Sequence, residues 1–192
     1  MMRYILVGIL VVMTAAIGFV TFQWYQSRYG GEPYGGPFTL VDQDGAEITE
    51  AAFRGHPTAL FFGFTNCPEI CPMTLVELDG WLKQLGDAGK DIRVYFISVD
   101  PERDTPKVMK DYVTAVSQRI VGITGAPDKV AAMTKLFGIY SQKVEIDTGG
   151  YTMDHTASVL LLNARGEFAG TIAYGEKTET AIAKLKRLVS DG

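Results

Sequence analysis

The chain has 192 residues, a formal net charge of −4 and two cysteines. This length predicts one folded domain. Without Arg3 and Arg28, the two basic residues of the N-terminal segment, 16 basic and 22 acidic side chains remain, a net charge of −6. No basic tract occurs in the sequence, so nucleic acid and anionic lipid surfaces are not expected as partners of the domain.

The N-terminal segment is apolar. Residues 4–22 contain no charged side chain over 19 positions, enough for a helix to cross a hydrocarbon core about 30 Å thick. A cleaved signal peptide is the alternative, but residues 14–16 are a poor match to a small-x-small cleavage site. We therefore predict an uncleaved membrane anchor over residues 1–26, with the following domain outside the cytoplasm.

A short segment rich in glycine and proline follows the anchor. Residues 27–37 read SRYGGEPYGGP and include four glycines and two prolines. This composition predicts a flexible linker. We expect the globular domain to occupy residues 38–192.

Short apolar runs in the domain have the composition of buried strands. Such near-continuous runs are typical of strands covered on both faces of a sheet. The last two flank an Ala-Arg-Gly-Glu turn and are predicted to form a β-hairpin. The runs lie at residues 38–41, 58–64, 92–99, 120–124, 157–163 and 168–174.

Four amphipathic stretches between or after these runs predict helices. Gly86 and Gly138 are placed to end two of them, and Thr105 with Pro106 predicts the start of another. The alternation predicts an α/β, thioredoxin-like fold, with a central mixed sheet flanked by helices. The apolar helix positions are Leu75, Leu78, Leu82 and Leu85; Val108, Tyr112, Val113 and Val116; Val130, Met133, Leu136 and Phe137; and Ile182, Leu185, Leu188 and Val189.

Both cysteines lie in one segment, GFTNCPEICP at residues 63–72. A disulfide between Cys67 and Cys71 is geometrically feasible on a helical turn, but so small a loop gives little chain-entropy stabilisation. Such a bridge suits redox exchange better than stabilisation of the fold. Because Pro72 suits the first helical position, we place Cys71 at the N-cap, where the helix N-terminus would lower the pKa of nearby thiols.

A metal held by two thiolates needs at least one more ligand. A structural zinc site takes four protein ligands and an iron–sulfur cluster four cysteines, whereas Cu(I) is satisfied by two thiolates and an imidazole. The chain has two histidines. His155 precedes the strand predicted at residues 157–163, in a loop expected opposite the cysteine turn. His56, in a Gly-His-Pro turn, is expected at the other end of the sheet with a structural role.

Four segments resemble one known family. They are FFGFTNCPEICPMTL at residues 61–75, FISVDPERDTP at 96–106, GITG at 122–125 and DHTASVLLLNARGEF at 154–168. From about Gly36 onward the chain resembles the Sco family (Sco/SenC copper proteins). The resemblance implies a thioredoxin-like fold and copper bound by Cys67, Cys71 and His155. The family segment usually reads CPDVCP, and the Glu69-Ile70 pair of this chain leaves the implied ligands unchanged.

Two functions follow from the resemblance and the cysteine pair. The first is a membrane-tethered copper chaperone, a binding protein carrying Cu(I), Cu(II) or both. It would assemble the binuclear copper centre of subunit II of cytochrome c oxidase and exchange copper with other copper chaperones. Its expected location is the bacterial inner membrane, single-pass, with the soluble domain in the periplasm.

The second function is a thiol–disulfide oxidoreductase that reduces the cysteines of the oxidase copper site. It uses Cys67 and Cys71 as a redox pair and needs no ligand role for His155. A peroxidase of the thioredoxin superfamily is less favoured, because the chain has no further cysteine, although Cys71 could resolve Cys67.

Three features beside these residues keep two interpretations each. Asp154 either orients the His155 loop or is a solvated carboxylate. Met153, two residues before His155, either contributes to the site or does not. The charged loop at residues 100–106 either forms a structural turn that caps a helix or docks a partner.

Overall fold

The computed structural model describes residues 2–29, 33–147 and 149–190. Its contacts divide the chain into two units, Met1–Glu32 and Pro33–Gly192. The first unit is a helix, α1 (Met2–Tyr29). Within α1, the 21-residue segment Arg3–Gln23 is long and apolar enough to cross a membrane. The predicted anchor therefore falls on a helix of suitable length and composition.

The end of the predicted linker belongs to the second unit. The N–H of Tyr34 donates to the carbonyl of Gly166 at 2.8 Å, and its ring lies 5.7 Å from that of Phe137 and 5.1 Å from that of Phe168. Gly35 has a φ of +91°, and a side chain there would collide with the Phe137 ring. Packing of the domain thus begins before residue 38. Residues 30–32 of the predicted linker lie outside the described residues.

Nine strands lie in the described part of the domain. They are β1 (Thr39–Asp42), β2 (Glu47–Thr49), β3 (Thr58–Gly63), β4 (Arg93–Ser98), β5 (Ile120–Thr124), β6 (Ser141–Glu145), β7 (Tyr151–His155), β8 (Val159–Leu162) and β9 (Phe168–Ile172). All six predicted strands are confirmed, with ends shifted by a few residues.

Seven of the strands form one mixed sheet in the order β2-β1-β5-β4-β3-β8-β9. The central strands β3, β4 and β5 are parallel. The outer pairs β1–β5, β3–β8 and β8–β9 are antiparallel. The buried apolar runs are the central strands, and the mixed sheet of a thioredoxin-like fold is confirmed.

Five helices and one short 3-10 turn complete the described domain. The four predicted helices are present, and the predicted cap at Thr105 is confirmed by a hydrogen bond from the N–H of Val108 to Thr105 Oγ1 at 3.4 Å. Gly86 and Gly138 take positive φ values just after the helices that end at Gln84 and Leu136. The elements are the 3-10 turn Glu50–Phe53, α2 (Ile70–Gln84), α3 (Asp87–Lys90), α4 (Pro106–Val116), α5 (Pro127–Leu136) and α6 (Thr178–Ser190).

Two neighbouring phenylalanines of β3 show that helices cover both faces of the sheet. Phe61 lies 6.0 Å from the ring of Phe96, which stacks at 5.3 Å on Tyr112 of α4. Phe62 lies 5.6 Å from the ring of Phe137, which follows α5. Because successive side chains of a strand point to opposite faces, α4 and α5 pack on opposite sides of the sheet.

Strands β6 and β7 form a separate two-stranded hairpin, in which His155 pairs with Ser141 at the base. The sequence pattern predicts a loop around His155 and does not predict either strand. The reason is their composition: SQKVE and YTMDH are mostly polar and half-buried or exposed, so they lack the apolar run by which the sheet strands were found.

Candidate metal centre

The cysteine segment joins the carboxyl end of β3 to the start of α2. The sequence pattern predicts Cys71 at the N-cap and Pro72 at the first helical position. The predicted start of the helix is wrong by two residues. The helix begins at Ile70 with Glu69 as its N-cap. Pro72 is tolerated at the third helical position because the N–H groups of a first helical turn have no acceptor within the helix.

The backbone of β3 lies directly against the sulfur of Cys71. A Cβ atom on Gly63 would stand 2.8 Å from Cys71 Sγ and 2.7 Å from the Phe96 ring. Cys71 itself is 0% exposed. Glycine at position 63 is therefore what allows the thiol to sit between the strand and the helix.

The two thiols have different surroundings. Both are free, but Cys67 is half-buried whereas Cys71 is buried. The N–H of Cys71 donates to Cys67 Sγ at 3.3 Å. Burial raises the pKa of the Cys71 thiol far above its usual value, and the neighbouring Cys67 adds to the rise. The predicted lowering of thiol pKa values is wrong for Cys71, because loss of solvation dominates there.

His155 reaches the cysteine segment from the end of β7. Its Nε2 lies 3.6 Å from Cys71 Sγ, and its Nδ1 lies 2.9 Å from the carbonyl oxygen of Thr156. A carbonyl only accepts, so Nδ1 carries the hydrogen and the Nε2 lone pair faces the sulfur. Burial lowers the pKa of His155, which favours the neutral ring. This tautomer is the one that a metal-binding histidine presents.

Aromatic side chains enclose the imidazole. The ring of Phe64 meets that of His155 edge-on at 5.7 Å, and the ring of Phe61 lies at 6.3 Å. On the open side is a groove of about 310 Å³. It is lined by Phe64, Cys67, Pro68, Glu69, Ile70, Thr152, Met153, Asp154, His155 and Ala157.

The three predicted ligands do not yet converge on one point. Within residues 2–29, 33–147 and 149–190, no group of three histidine, cysteine or acidic side chains is close enough to hold a metal ion. Cys71 contacts both other residues, through its sulfur to His155 and through its backbone N–H to Cys67. Binding of one ion by all three side chains therefore requires a local adjustment around the groove.

Met153 and Asp154 lie at the groove, whereas the second histidine, His56, does not. Asp154 does not orient the imidazole through Nδ1, because that atom is bonded to the carbonyl of Thr156. His56 precedes β3, at the end opposite the cysteine segment, and its Nδ1 lies 3.1 Å from Thr58 Oγ1. The prediction that His56 lies away from the cysteines is confirmed.

The sequence does not predict the hydrogen bonds between the charged loop at residues 100–104 and the site. Asp104 accepts hydrogen bonds from Thr65, two residues before Cys67. Asp100 and Arg103 contact Tyr151, on the strand that carries His155. The only signal in the sequence was the position of this loop at the carboxyl end of a buried strand, the edge of the sheet where the cysteine segment also lies.

These features define a thioredoxin-like domain with a CxxxC turn at the start of a helix and an imidazole facing it from a separate hairpin. A sequence model of the family SCO1/SenC matches residues 26–190. The chain belongs to the SCO1/SenC family.

Similar proteins come from bacteria and from mitochondria. The protein named SCO1 homolog 1, mitochondrial, of Arabidopsis thaliana is 36% identical over 140 residues, covering 72% of this chain and 42% of its own length. SCO2, mitochondrial, of Saccharomyces cerevisiae is 34% identical over 166 residues, covering 84% of this chain and 54% of its own length. The chain spans about half the length of these curated relatives.

Solved structures share the fold and include copper-bound forms. ScoI of Bradyrhizobium japonicum with copper bound is 40% identical, with a TM-score of 0.73, and the match covers 80% of this chain and 98% of that chain. Yeast Sco1 with copper bound is 33% identical, with a TM-score of 0.76, covering 83% and 90%.

Proposed function

We propose that the domain binds one copper ion through Cys67 Sγ, Cys71 Sγ and His155 Nε2, and delivers it as cargo to another protein. The observation that carries the proposal is the Nε2 lone pair facing Cys71 Sγ at 3.6 Å. Two thiolates and one imidazole form a soft, low-coordinate set that suits Cu(I). The set has too few ligands for a structural zinc site.

Related structures support copper as the ion. ScoI of Bradyrhizobium japonicum, ScoI of Arabidopsis thaliana and yeast Sco1 were each solved with copper bound. The groove suits a transient cargo, because the half-buried Cys67 lines it. We propose that the acceptor is the copper-site subunit II of cytochrome c oxidase, which is the target that the family resemblance implies.

The N-terminal helix gives this chaperone a location. We propose that residues 1–26 anchor the protein in the bacterial inner membrane, with the folded domain, which begins at Pro33, in the periplasm. Support comes from the apolar segment Arg3–Gln23. In this arrangement the copper groove is on the same side of the membrane as an extracytoplasmic copper site.

The difference between the two thiols favours a second candidate function, thiol–disulfide exchange. Here the thiolate of Cys67 attacks a target disulfide and forms a mixed disulfide. The Cys71 thiol, losing its proton, then attacks Cys67 Sγ, leaving a Cys67–Cys71 disulfide and two reduced target thiols. This reaction needs an accessible first thiol and a protected second one, and the structure has that arrangement.

Copper titration of the full-length protein in detergent micelles tests the first function. We expect one Cu(I) per chain, measured against a competing chelator. Cys67→Ala, Cys71→Ala and His155→Ala should each lower the affinity by about 100-fold or more, because loss of a residue that only supports a metal ligand already costs about 10- to 100-fold. His56→Ala serves as the matched control, because His56 lies at the other end of β3.

Oxidase maturation in cells separates the two functions. His155→Ala should abolish assembly of the oxidase copper centre if copper delivery is the function. Normal oxidase activity in that strain, together with loss of activity in the Cys67→Ala strain, would instead establish thiol exchange. Unchanged copper affinity in all three variants would refute the proposed site.

A further inference from the structure

The hairpin that carries His155 depends on contacts outside its own two strands. Among the described residues, strands β6 and β7 pair only with each other, and an isolated two-stranded hairpin is marginally stable in water. At its base the N–H of Thr156 donates to the carbonyl of Tyr140 at 3.0 Å. The side chains of β6 are half-buried or exposed, whereas Met153 of β7 is a partly buried apolar side chain packed against the core.

Residues 100–104, which we call the bridging loop, supply several of these outside contacts. Arg103 Nη1 donates to the carbonyl of Tyr151 at 2.9 Å, and its guanidinium lies 3.8 Å from the centroid of the Tyr151 ring. The Tyr151 hydroxyl donates to Asp100 Oδ1 at 2.8 Å. Arg103 Nε donates to the other oxygen of the same carboxylate. Asp100, Arg103 and Tyr151 therefore form a closed ring of contacts.

The contacts in this ring are stronger than ordinary surface contacts. Asp100 is 3% exposed, so its bonds to Arg103 and Tyr151 are shielded from water and salt. The neighbouring Lys143–Glu102 ion pair, with a 2.7 Å separation, is exposed at both side chains. Exposed pairs contribute little, so the ring rather than this pair holds the hairpin.

The other end of the bridging loop holds the cysteine segment. The carboxylate of Asp104 accepts from Thr65 Oγ1 at 2.6 Å and from the N–H of Thr65 at 3.2 Å. It also accepts from Ser98 Oγ at 2.6 Å. Asp104 is 0% exposed. Because Thr65 lies two residues before Cys67, this carboxylate fixes the start of the thiol-bearing turn.

We propose that Arg103 and Tyr151 are positioning residues for copper: through the bridging loop they hold the His155 imidazole in register with the cysteine segment. Arg103 contacts both sides of the site, since its guanidinium is also 5.9 Å from the ring centroid of Phe64. The Phe64 ring in turn meets the His155 ring edge-on. Neither residue is one of the three proposed copper ligands. The inference rests on the proposed copper site, and it concerns how that site is held together.

A double-mutant cycle tests this role with Cu(I) competition titrations on the full-length protein. Arg103→Gln and Tyr151→Phe should each weaken copper binding by about 10- to 100-fold, as loss of contacts behind a ligand does. In a His155→Ala background the same changes should have less than about a twofold effect, because positioning residues act through the ligand they hold. Equal losses in both backgrounds, or no loss in either, would overturn the proposal.

The matched control is Arg119→Gln. Arg119 also donates to a backbone carbonyl, that of Gly89, at 3.4 Å, but it lies away from the groove. Its replacement should leave copper affinity unchanged. Thermal unfolding of every variant gives the folded fraction, so that a loss of affinity is assigned to folded protein.

A readout without copper keeps this inference separate from the proposed function. In the metal-free protein, an NMR cross-relaxation signal between the rings of His155 and Phe64 should be present in the wild type and in Arg119→Gln. It should be weakened or lost in Arg103→Gln. If this signal survives in Arg103→Gln, the positioning role is wrong. If the signal is lost but His155→Ala leaves copper affinity unchanged, the proposed ligand set is wrong instead.

Discussion

The sulfur of Cys71 lies 3.6 Å from Nε2 of His155, although 84 positions separate the two residues in the chain. The contact joins the first turn of helix α2 to the end of strand β7, which belongs to the two-stranded sheet. In the described chain, these two elements share no backbone hydrogen bonds with each other. A buried thiol and a neutral imidazole thus face each other, and Cys67 lines the groove beside them.

The two thiols should react at different rates with an alkylating reagent. Cys67 is half-buried and lines the groove, whereas burial raises the pKa of Cys71 and removes access to it. Because the thiolate is the reactive form and each pKa unit changes its fraction tenfold, Cys67 should be modified at least about tenfold faster. Mass spectrometry of peptides after timed labelling measures both rates. In denaturant the rates should become similar, and equal rates in the folded protein would contradict the burial difference.

Gly63→Ala should destabilise the domain and disturb the thiol site together. The new methyl group would stand 2.8 Å from Cys71 Sγ and 2.7 Å from the Phe96 ring. Overpacking of this kind typically costs about 1–3 kcal/mol. Denaturant unfolding measures the loss of stability, and Cu(I) titration should show weaker binding in the folded protein.

Gly80→Ala is the control for that substitution. Gly80 lies within α2, and nothing stands within 4 Å of a Cβ placed there. Since alanine is favoured over glycine in a helix by about 0.5–1 kcal/mol, this variant should be unchanged or more stable. Similar destabilisation of both variants would contradict the steric argument at Gly63.

Acidification should weaken the fold through its histidines. Burial lowers the pKa of both His155 and His56 below 6.5 in the folded state. As the pH falls, the histidines therefore take up protons at a higher pH in the unfolded chain than in the folded chain. Their contribution to the free energy of unfolding is complete above pH 6.5 and is lost as the pH falls through that value toward the folded pKa values. His155→Gln should show a smaller fall in stability between pH 7.5 and about 5 than the wild type. An unchanged pH dependence in this variant would contradict a neutral, buried His155.

Asp104→Asn should loosen the cysteine segment. The buried carboxylate of Asp104 accepts bonds from Ser98 and Thr65, and an amide in its place turns one acceptor into a donor. A buried polar group that loses its partner costs about 1–3 kcal/mol, which denaturant unfolding will detect. Asp111→Asn is the control, since Asp111 pairs with Lys107 at an exposed site. A smaller loss for Asp104→Asn than for Asp111→Asn would contradict the role of the buried carboxylate.

The sequence predicted the parts of the molecule that are coded by local pattern. The strands of the sheet are apolar runs, and α4 begins at a Thr-Pro cap. The approach of His155 to the cysteines was also predictable, because chain order fixes which loop faces a turn in this fold.

The remaining parts depend on tertiary contacts. The β6–β7 hairpin is mostly polar, so its own sequence carries no strand pattern. Arg103, which is distant in sequence, donates a hydrogen bond to its backbone at Tyr151. The raised pKa of Cys71 follows from burial against β3 and Phe96. The position of Cys71 near a helix N-terminus predicted a lowered pKa instead, because that position alone does not show how deeply the thiol is buried.

The position of Cys71 between strand and helix leaves the two thiols with different access to a reaction partner. The Cys71 sulfur lies against the backbone of β3 at Gly63 and 3.6 Å from Nε2 of His155, whereas Cys67 lines the groove. If the two thiols hold copper as proposed, an incoming donor would reach Cys67 before Cys71. Cys71 would then be the last sulfur ligand to release the ion.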